Sequence, residues 1–209
     1  TELMAEWLTE HKKERMKPRT YSRYRGIIEQ HIVPTLGNIQ ITEMNRRRIS
    51  DFLKVHRTNG NLRSDLPLSP TSANLILSVL NAAFSYACDM ELLAVNPCAR
   101  IRRVATPTSR IEAYTREEQR RLEEVITQSD DRRLFGIRLC LYTGLRIGEL
   151  LGLEWQDVDL EQGILHIGKT VYREKNSDGE WQLFVDRPKT VASERAIPLP
   201  VYLIKDLRT

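Results

Sequence analysis

Between Ala99 and Ala113 the chain reads ARIRRVATPTSRIEA, with four arginines, one proline and no apolar repeat at helix or strand spacing. A stretch this rich in cations and with so little periodicity reads as a linker between domains. The sequence therefore predicts a first domain over residues 1–98, a basic linker over 99–113 and a second domain over 114–209. At 209 residues the chain is long enough for two modest domains, each with its own core.

The two halves differ in period. Before the linker the apolar residues recur at helical spacing. A first helix is expected over Thr1–Arg15, with Leu3, Trp7 and Leu8 inward. A second is expected over Pro18–Ile32, with Tyr21, Tyr24, Ile27, Ile28 and Ile32 on one stripe, stopped by the proline and glycine of HIVPTLGN (31–38). Asn45 reads as the cap of a third helix to about Val55, with Ile49, Phe52 and Leu53 inward, and RTNGNLRSDLPL (57–68) as a polar loop. Ser69-Pro70, a cap residue before a first-turn proline, starts the longest helix, whose buried stripe is Ala73, Ile76, Leu80, Ala83, Phe84 and Ala87. Asn96-Pro97 closes this helical bundle.

After the linker, Thr115 with Glu118 three residues on is a capping box for a helix to about Thr127, and another helix is expected over Asp131–Tyr142. Beyond Val158 the texture becomes that of short strands: GILHIGKTVYRE (163–174), EWQLFVDRP (180–188) and ERAIPLP (194–200), the first two joined by the turn Asn176–Gly179. The fold class is α+β, an all-α domain followed by helices with a small antiparallel sheet.

Charge separates the halves as well. Residues 1–106 hold 16 Lys and Arg against 10 Asp and Glu, while residues 107–209 hold 16 against 18, so the whole excess of cation lies in the helical half and the second half is slightly acidic. Such a surface suits a polyanion. Lys12, Lys13, Arg15, Lys17, Arg19, Arg23 and Arg25 span the end of the first helix and the start of the second. Arg46, Arg47 and Arg48 open the third helix, where cations oppose the helix dipole unless an anion compensates. Ser22, Thr71 and Asn74 are further candidates for groove or phosphate contacts, with capping and plain exposure as the alternatives. No apolar run approaches the ~18 residues that span a bilayer. Three cysteines without CxxC spacing suit a reducing compartment, and the four scattered histidines give no metal-ligand spacing. Phosphate-cradling loops, dinucleotide fingerprints and nucleophile elbows are absent from the sequence.

What remains is Arg146, in TGLRIGELLGLEWQDVDLEQG (143–163). It follows Gly144, where the chain can turn tightly, and precedes a helix expected to bury Ile147, Leu150 and Leu151, with Trp155 also expected in the core. Glu149 stands one helical turn on. Two readings fit: an (i, i+3) surface salt bridge, or a guanidinium held by a carboxylate so that it can make paired hydrogen bonds to a phosphate.

The neighbours of Arg146 favour the second. LYTGLRIGELLGLEWQDVD (141–159) closely resembles the first catalytic box of the tyrosine recombinases, the phage and transposon integrase family. PKTVASERAIPL (188–199) resembles that family's lysine-bearing β-hairpin segment. TYSRYRGIIEQHIVPTLG (20–37) and NAAFSYACDMELLAVNP (81–97) look like its core-binding domain. The resemblance runs over nearly the whole chain and in the family's order.

The resemblance implies that Arg146 holds the scissile phosphate, that Glu149 orients it, and that Lys189 is the general acid toward the leaving 5′-oxygen. It implies cutting and rejoining of duplex DNA through a 3′-phosphotyrosine, with no metal or nucleotide cofactor, in the cytoplasm of a bacterial or phage-infected cell, by a homotetramer on DNA. The DNA contacts expected are Lys12, Lys13, Lys17, Arg19, Arg23, Arg46, Arg47, Arg48, Arg102, Arg103 and Arg195, with Arg195 equally open to a role on the hairpin alone. The family's His-x-x-Arg box, a later His or Trp and the nucleophilic tyrosine belong beyond Lys189 and are missing, so the chain is expected to end inside its catalytic domain and to be inactive by itself. His166-Ile-Gly-Lys169 precedes the lysine and ends in lysine, and Tyr202 falls too early, as a partly buried helix residue. A small arm-binding domain before Thr1 is a further expectation from the family. The alternative reading is a non-catalytic DNA-binding regulator derived from the same fold.

Overall fold

The structure, a computed structural model, describes residues 1–12, 16–62, 64, 66–108, 112–175, 179–186 and 194–208. Its chain forms two compact units, Thr1–Ser109 and Arg110–Thr209.

The first unit is helical: α1 (Glu2–Glu6, continuing as a π-helix Trp7–Lys12), α2 (Pro18–Ile27, continuing as a π-helix Ile28–Ile32), α3 (Val33–Leu36), α4 (Arg46–Asn59) and α5 (Pro70–Asp89). The stop expected within residues 31–38 falls at its glycine, Gly37 being the C-cap, and not at Pro34. Helical backbone runs on to Leu36 because the π segment just before it changes the carbonyl register with which a proline ring would otherwise collide. Asn45 caps α4 as expected, its side chain accepting from the Arg48 N–H at 3.0 Å, but α4 extends to Asn59 and takes the first residues of the expected loop. Ser69 caps α5, and its whole expected stripe is buried. Trp7, Ile32, Ile49, Ile76 and Leu80 form the centre of this core, each side chain contributing on the order of 1.5–3 kcal/mol by leaving water.

Two hydrogen-bonded clasps fasten the chain after α5. Asn96 donates to the Asn81 carbonyl and Ser85 Oγ and accepts from the Cys98 N–H. Asn74, a candidate groove contact by sequence, instead clasps the backbone of Val104, donating to its carbonyl at 2.9 Å and accepting from its N–H at 2.8 Å. Both polar ends of the amide are thereby used.

His31 sits edge-on to His56 with ring centroids 5.5 Å apart, and burial, followed by the neighbouring His56, lowers its pKa. A histidine depressed on folding binds its proton more readily in the unfolded chain, so its contribution is complete above about pH 6.5 and is lost as pH falls below that value. Denaturant melts at about pH 7.5 and 5.5 should show this loss in the helical unit, and His31→Gln should diminish it; an undiminished loss in the variant would remove His31 as its source.

The second unit holds α6 (Arg116–Gln128), α7 (Leu134–Thr143), α8 (Ile147–Leu150) and α9 (Val201–Leu207), with strands β1 (Val158–Asp159), β2 (Ile164–Ile167), β3 (Thr170–Lys175), β4 (Trp181–Asp186) and β5 (Arg195–Pro198). The Thr115–Glu118 capping box is present, while α7 starts at Leu134, with Asp131 accepting from the Arg133 N–H ahead of it. The stretch expected as one strand over 163–174 is two. β2 pairs with β1 and β5, all antiparallel, whereas among the described residues β3 pairs with β4 in a separate ribbon. Gly168 and Lys169 make the break; the expected 176–179 turn lies largely outside the described residues. Leu139, Leu145, Leu165, Ile167, Leu199 and Leu203 are the core of this unit.

Candidate active site

Arg146 owes its place to the end of α7. Gly144 closes that helix in the left-handed region (φ 66°), its N–H reaching the Cys140 carbonyl at 2.9 Å, a conformation that costs glycine little and other residues more. Leu145 then plugs into the core, and Arg146 leaves in extended conformation before the single turn of α8. Only part of the expected burial on α8 is found. Leu150 packs inward, but Ile147 is 69% and Leu151 62% exposed, and Trp155, expected in the core, is 70% exposed. One turn of helix has one inward face, and here Glu149 and Leu150 take it. Gly148 lets that turn lie against β3, since a Cβ there would come within 2.5 Å of Thr170 Cγ2.

Glu149 is the centre of the site and is 5% exposed. Its Oε2 accepts from the Arg146 backbone N–H at 2.9 Å and from Arg195 Nη2 at 2.9 Å. Its Oε1 accepts from Arg146 Nη1 at 3.0 Å and from Arg195 Nη1 at 3.1 Å. Every acceptor position of the carboxylate is filled. Hydrogen bonding by Arg195, and then by the Arg146 N–H and side chain, outweighs burial and holds the Glu149 pKa down at about 2. One carboxylate between two guanidiniums leaves a net positive charge. The Arg146 side chain carries that charge outward at 76% exposed, against 29% for Arg195.

Arg195 is set on β5 opposite Ile167 of β2. Expected as a DNA contact or a hairpin ornament, it has a third position, on the buried carboxylate. The pairing spans 46 residues of sequence, and no local spacing announces it. Lys189 lies outside the described residues, so the structure brings Arg146, Glu149 and Arg195 together without describing the lysine. His166 is exposed on β2, and Lys169 is tied to Glu154 at 2.8 Å and Asp157 at 3.3 Å, a brace across the turn after α8. Tyr202 lies on α9, 38% exposed, its ring edge-on to Tyr142 at 4.9 Å.

In the first unit, Arg19, Arg23, Arg46, Arg47, Arg48, Arg102 and Arg103 are exposed and Lys17 is half-buried. Arg48 lies 3.7 Å from Glu43 and Arg103 donates to Ser78 Oγ. Lys12 ends the first π segment, and Lys13 and Arg15 lie outside the described residues. No helix among the described residues is long and apolar enough to cross a membrane, and no group of three His, Cys, Asp or Glu among them could hold a metal ion.

A helical unit followed by an α+β unit is also the order of the families this chain matches. Residues 1–55 match the phage integrase N-terminal SAM-like domain, and residues 112–199 match the phage integrase family. The chain belongs to the tyrosine recombinase family. It is 30% identical to a XerC-like tyrosine recombinase of Caldanaerobacter subterraneus over 99% of its length and 54% of the relative's. It is also 30% identical to the ICEBs1 integrase of Bacillus subtilis, over 90% of this chain and 48% of that one. The chain thus spans about half the length of these curated relatives. The Tn1549 transposon integrase, solved with a circular intermediate DNA, shares the fold with a TM-score of 0.78 at 22% identity, over 99% of this chain and 63% of that one. A λ integrase dimer bound to a core site gives 0.65 at 21% identity, over 88% of this chain and 47% of that one.

Proposed function

We propose that this chain is the DNA-binding and phosphate-holding part of a site-specific recombinase, with residues 1–98 as the core-binding domain, 99–113 as a basic linker and 114–209 as the first portion of the catalytic domain. The observation that carries the reading is the Arg146–Glu149 pair: an outward guanidinium fixed from beneath by a saturated, buried carboxylate. Such a donor, oriented before the ligand arrives, stabilises the charge that builds on a five-coordinate phosphorus. A tyrosine oxygen supplied beyond Thr209 attacks the scissile phosphorus, and the 5′-oxygen leaves with a proton from Lys189, keeping the bond energy in a 3′-phosphotyrosine. Joining reverses these transfers on a partner strand. Lys12, Lys13, Lys17, Arg19, Arg23, the Arg46–Arg48 run, Arg102 and Arg103 hold the duplex backbone. The complete protein acts as a tetramer on DNA in the cytoplasm, and this chain alone cleaves nothing.

Titration of this chain against a duplex is the test. With several phosphate contacts, affinity should fall by about two orders of magnitude or more between about 50 and 200 mM salt. Binding that is absent, or indifferent to salt, would refute the reading.

A further inference from the structure

Arg195 has no assigned part in this chemistry, yet it makes half of the hydrogen bonds to Glu149. A carboxylate has a limited number of acceptor positions, and here the Arg146 backbone takes one, Arg146 Nη1 another, and Arg195 the remaining two, one on each oxygen. Arginine and carboxylate left to themselves close into a two-bond fork. Arg146 does not: it spends one guanidinium N–H on Glu149, and its Nε and Nη2 make no hydrogen bond among the described residues.

We infer that Arg195 is a positioning residue that holds Arg146 open, by occupying the acceptor positions on Glu149 into which the Arg146 fork would otherwise close. The inference rests on the reading of Arg146 as the phosphate-holding group. β5 fixes the Arg195 backbone against β2 opposite Ile167, and its guanidinium approaches Glu149 through Nη1 and Nη2 together, from a side chain far less exposed than that of Arg146. Arg146 is left one bond, enough to fix its direction, and keeps the rest of its planar fork for the non-bridging oxygens of a phosphate. Glu149 alone would anchor Arg146 and also capture it. Charge is not the feature at issue, because a lysine at 195 supplies the same charge from a single point and fills only one of the two positions.

Two arms test this. Crystal structures of the 209-residue chain as wild type, Arg195→Ala and Arg195→Lys would report the conformation of Arg146 directly. Both variants should show a second Arg146–Glu149 hydrogen bond, at about 3 Å, and a less exposed guanidinium; Arg146 remaining outward with one bond in either would overturn the inference. If the alanine variant does not fold, the lysine variant decides the matter. In the second arm, duplex DNA affinity is measured for Arg195→Ala, Arg195→Lys, Arg146→Ala and the Arg146→Ala/Arg195→Ala double variant. Each single variant should lose about tenfold, the scale of one charge-assisted phosphate contact, and the double variant should lose no more than Arg146→Ala alone. Full recovery with lysine, or additive losses, would make Arg195 a direct DNA contact and overturn the inference. A wild-type chain that binds no duplex would bring down the phosphate reading, while the crystallographic arm would still decide whether Arg195 holds Arg146 open.

Discussion

Arg146→Lys, made in a chain that continues past Thr209 to a nucleophilic tyrosine, is expected to slow single-turnover strand cleavage about a hundredfold or more while the melting temperature hardly moves. The rate falls because lysine keeps the charge and loses the planar pair of donors. One preorganised donor at a developing phosphorane is worth ~3–4 kcal/mol of transition-state stabilisation. Stability is spared because the Arg146 side chain is 76% exposed, and an ion pair so placed contributes under about 1 kcal/mol. Lys189→Ala should slow cleavage similarly and be rescued by a 5′-bridging phosphorothiolate, whose leaving group needs no proton. Arg146→Ala should gain nothing from that substrate, since it lacks the phosphate donor and keeps the acid. Near-normal cleavage by Arg146→Lys with a large fall in melting temperature would reduce the residue to a structural salt bridge.

The partner substitution should behave in the opposite way. Glu149 is buried and receives four hydrogen bonds, so Glu149→Ala removes the group that neutralises a part-buried Arg195 and orients the turn after α7. The second unit should lose roughly 3 kcal/mol. The same carboxylate makes that unit acid-sensitive. Its pKa is about 2 in the folded chain against an ordinary 4.5, so as pH falls the unfolded chain takes up the proton first. The stabilisation is therefore complete above about pH 5 and is lost progressively between about 4.5 and 2, amounting to roughly 3 kcal/mol across that window. Denaturant melts of the wild type and Glu149→Gln between about pH 7 and 3 check both statements. The glutamine variant should be less stable at neutral pH and lose less stability on acidification; a wild type no more acid-sensitive than the variant would contradict the burial and pairing described for Glu149.

Local chemistry was legible in the sequence wherever a residue and its partner lie within one turn. Ser69-Pro70, Asn45 and the Thr115–Glu118 box start helices at the positions read from them, and the α5 stripe is buried throughout. Arg146 and Glu149 belong to the same category, three residues apart. Misreadings arise where tertiary context overrides a local rule. In HIVPTLGN the glycine ends the helix at Leu36, while Pro34, preceded by a π segment, does not. The β2–β3 run reads as one strand because its alternation continues across Gly168, although its two halves join different sheets. Ile147, Leu151 and Trp155 look like core by composition, but a single turn of helix buries too narrow a face to take them. The ion pair between Arg195 and Glu149 depends on β5 pairing with β2, a contact that no spacing of residues encodes.

The proposed reaction has the phosphate held by Arg146 cut by a tyrosine this chain does not contain. A nicked suicide duplex, which traps the covalent intermediate by letting the leaving strand escape, tests it most directly. The 209-residue chain and a version extended past Thr209 are each incubated with that duplex and separated on a denaturing gel. An adduct is expected from the extended chain, mapping to a tyrosine beyond Thr209 and strongly reduced by Arg146→Lys, with no adduct from the 209-residue chain. An adduct on the shorter chain at Tyr202 or any other of its tyrosines, or no adduct from the extended chain, would contradict it.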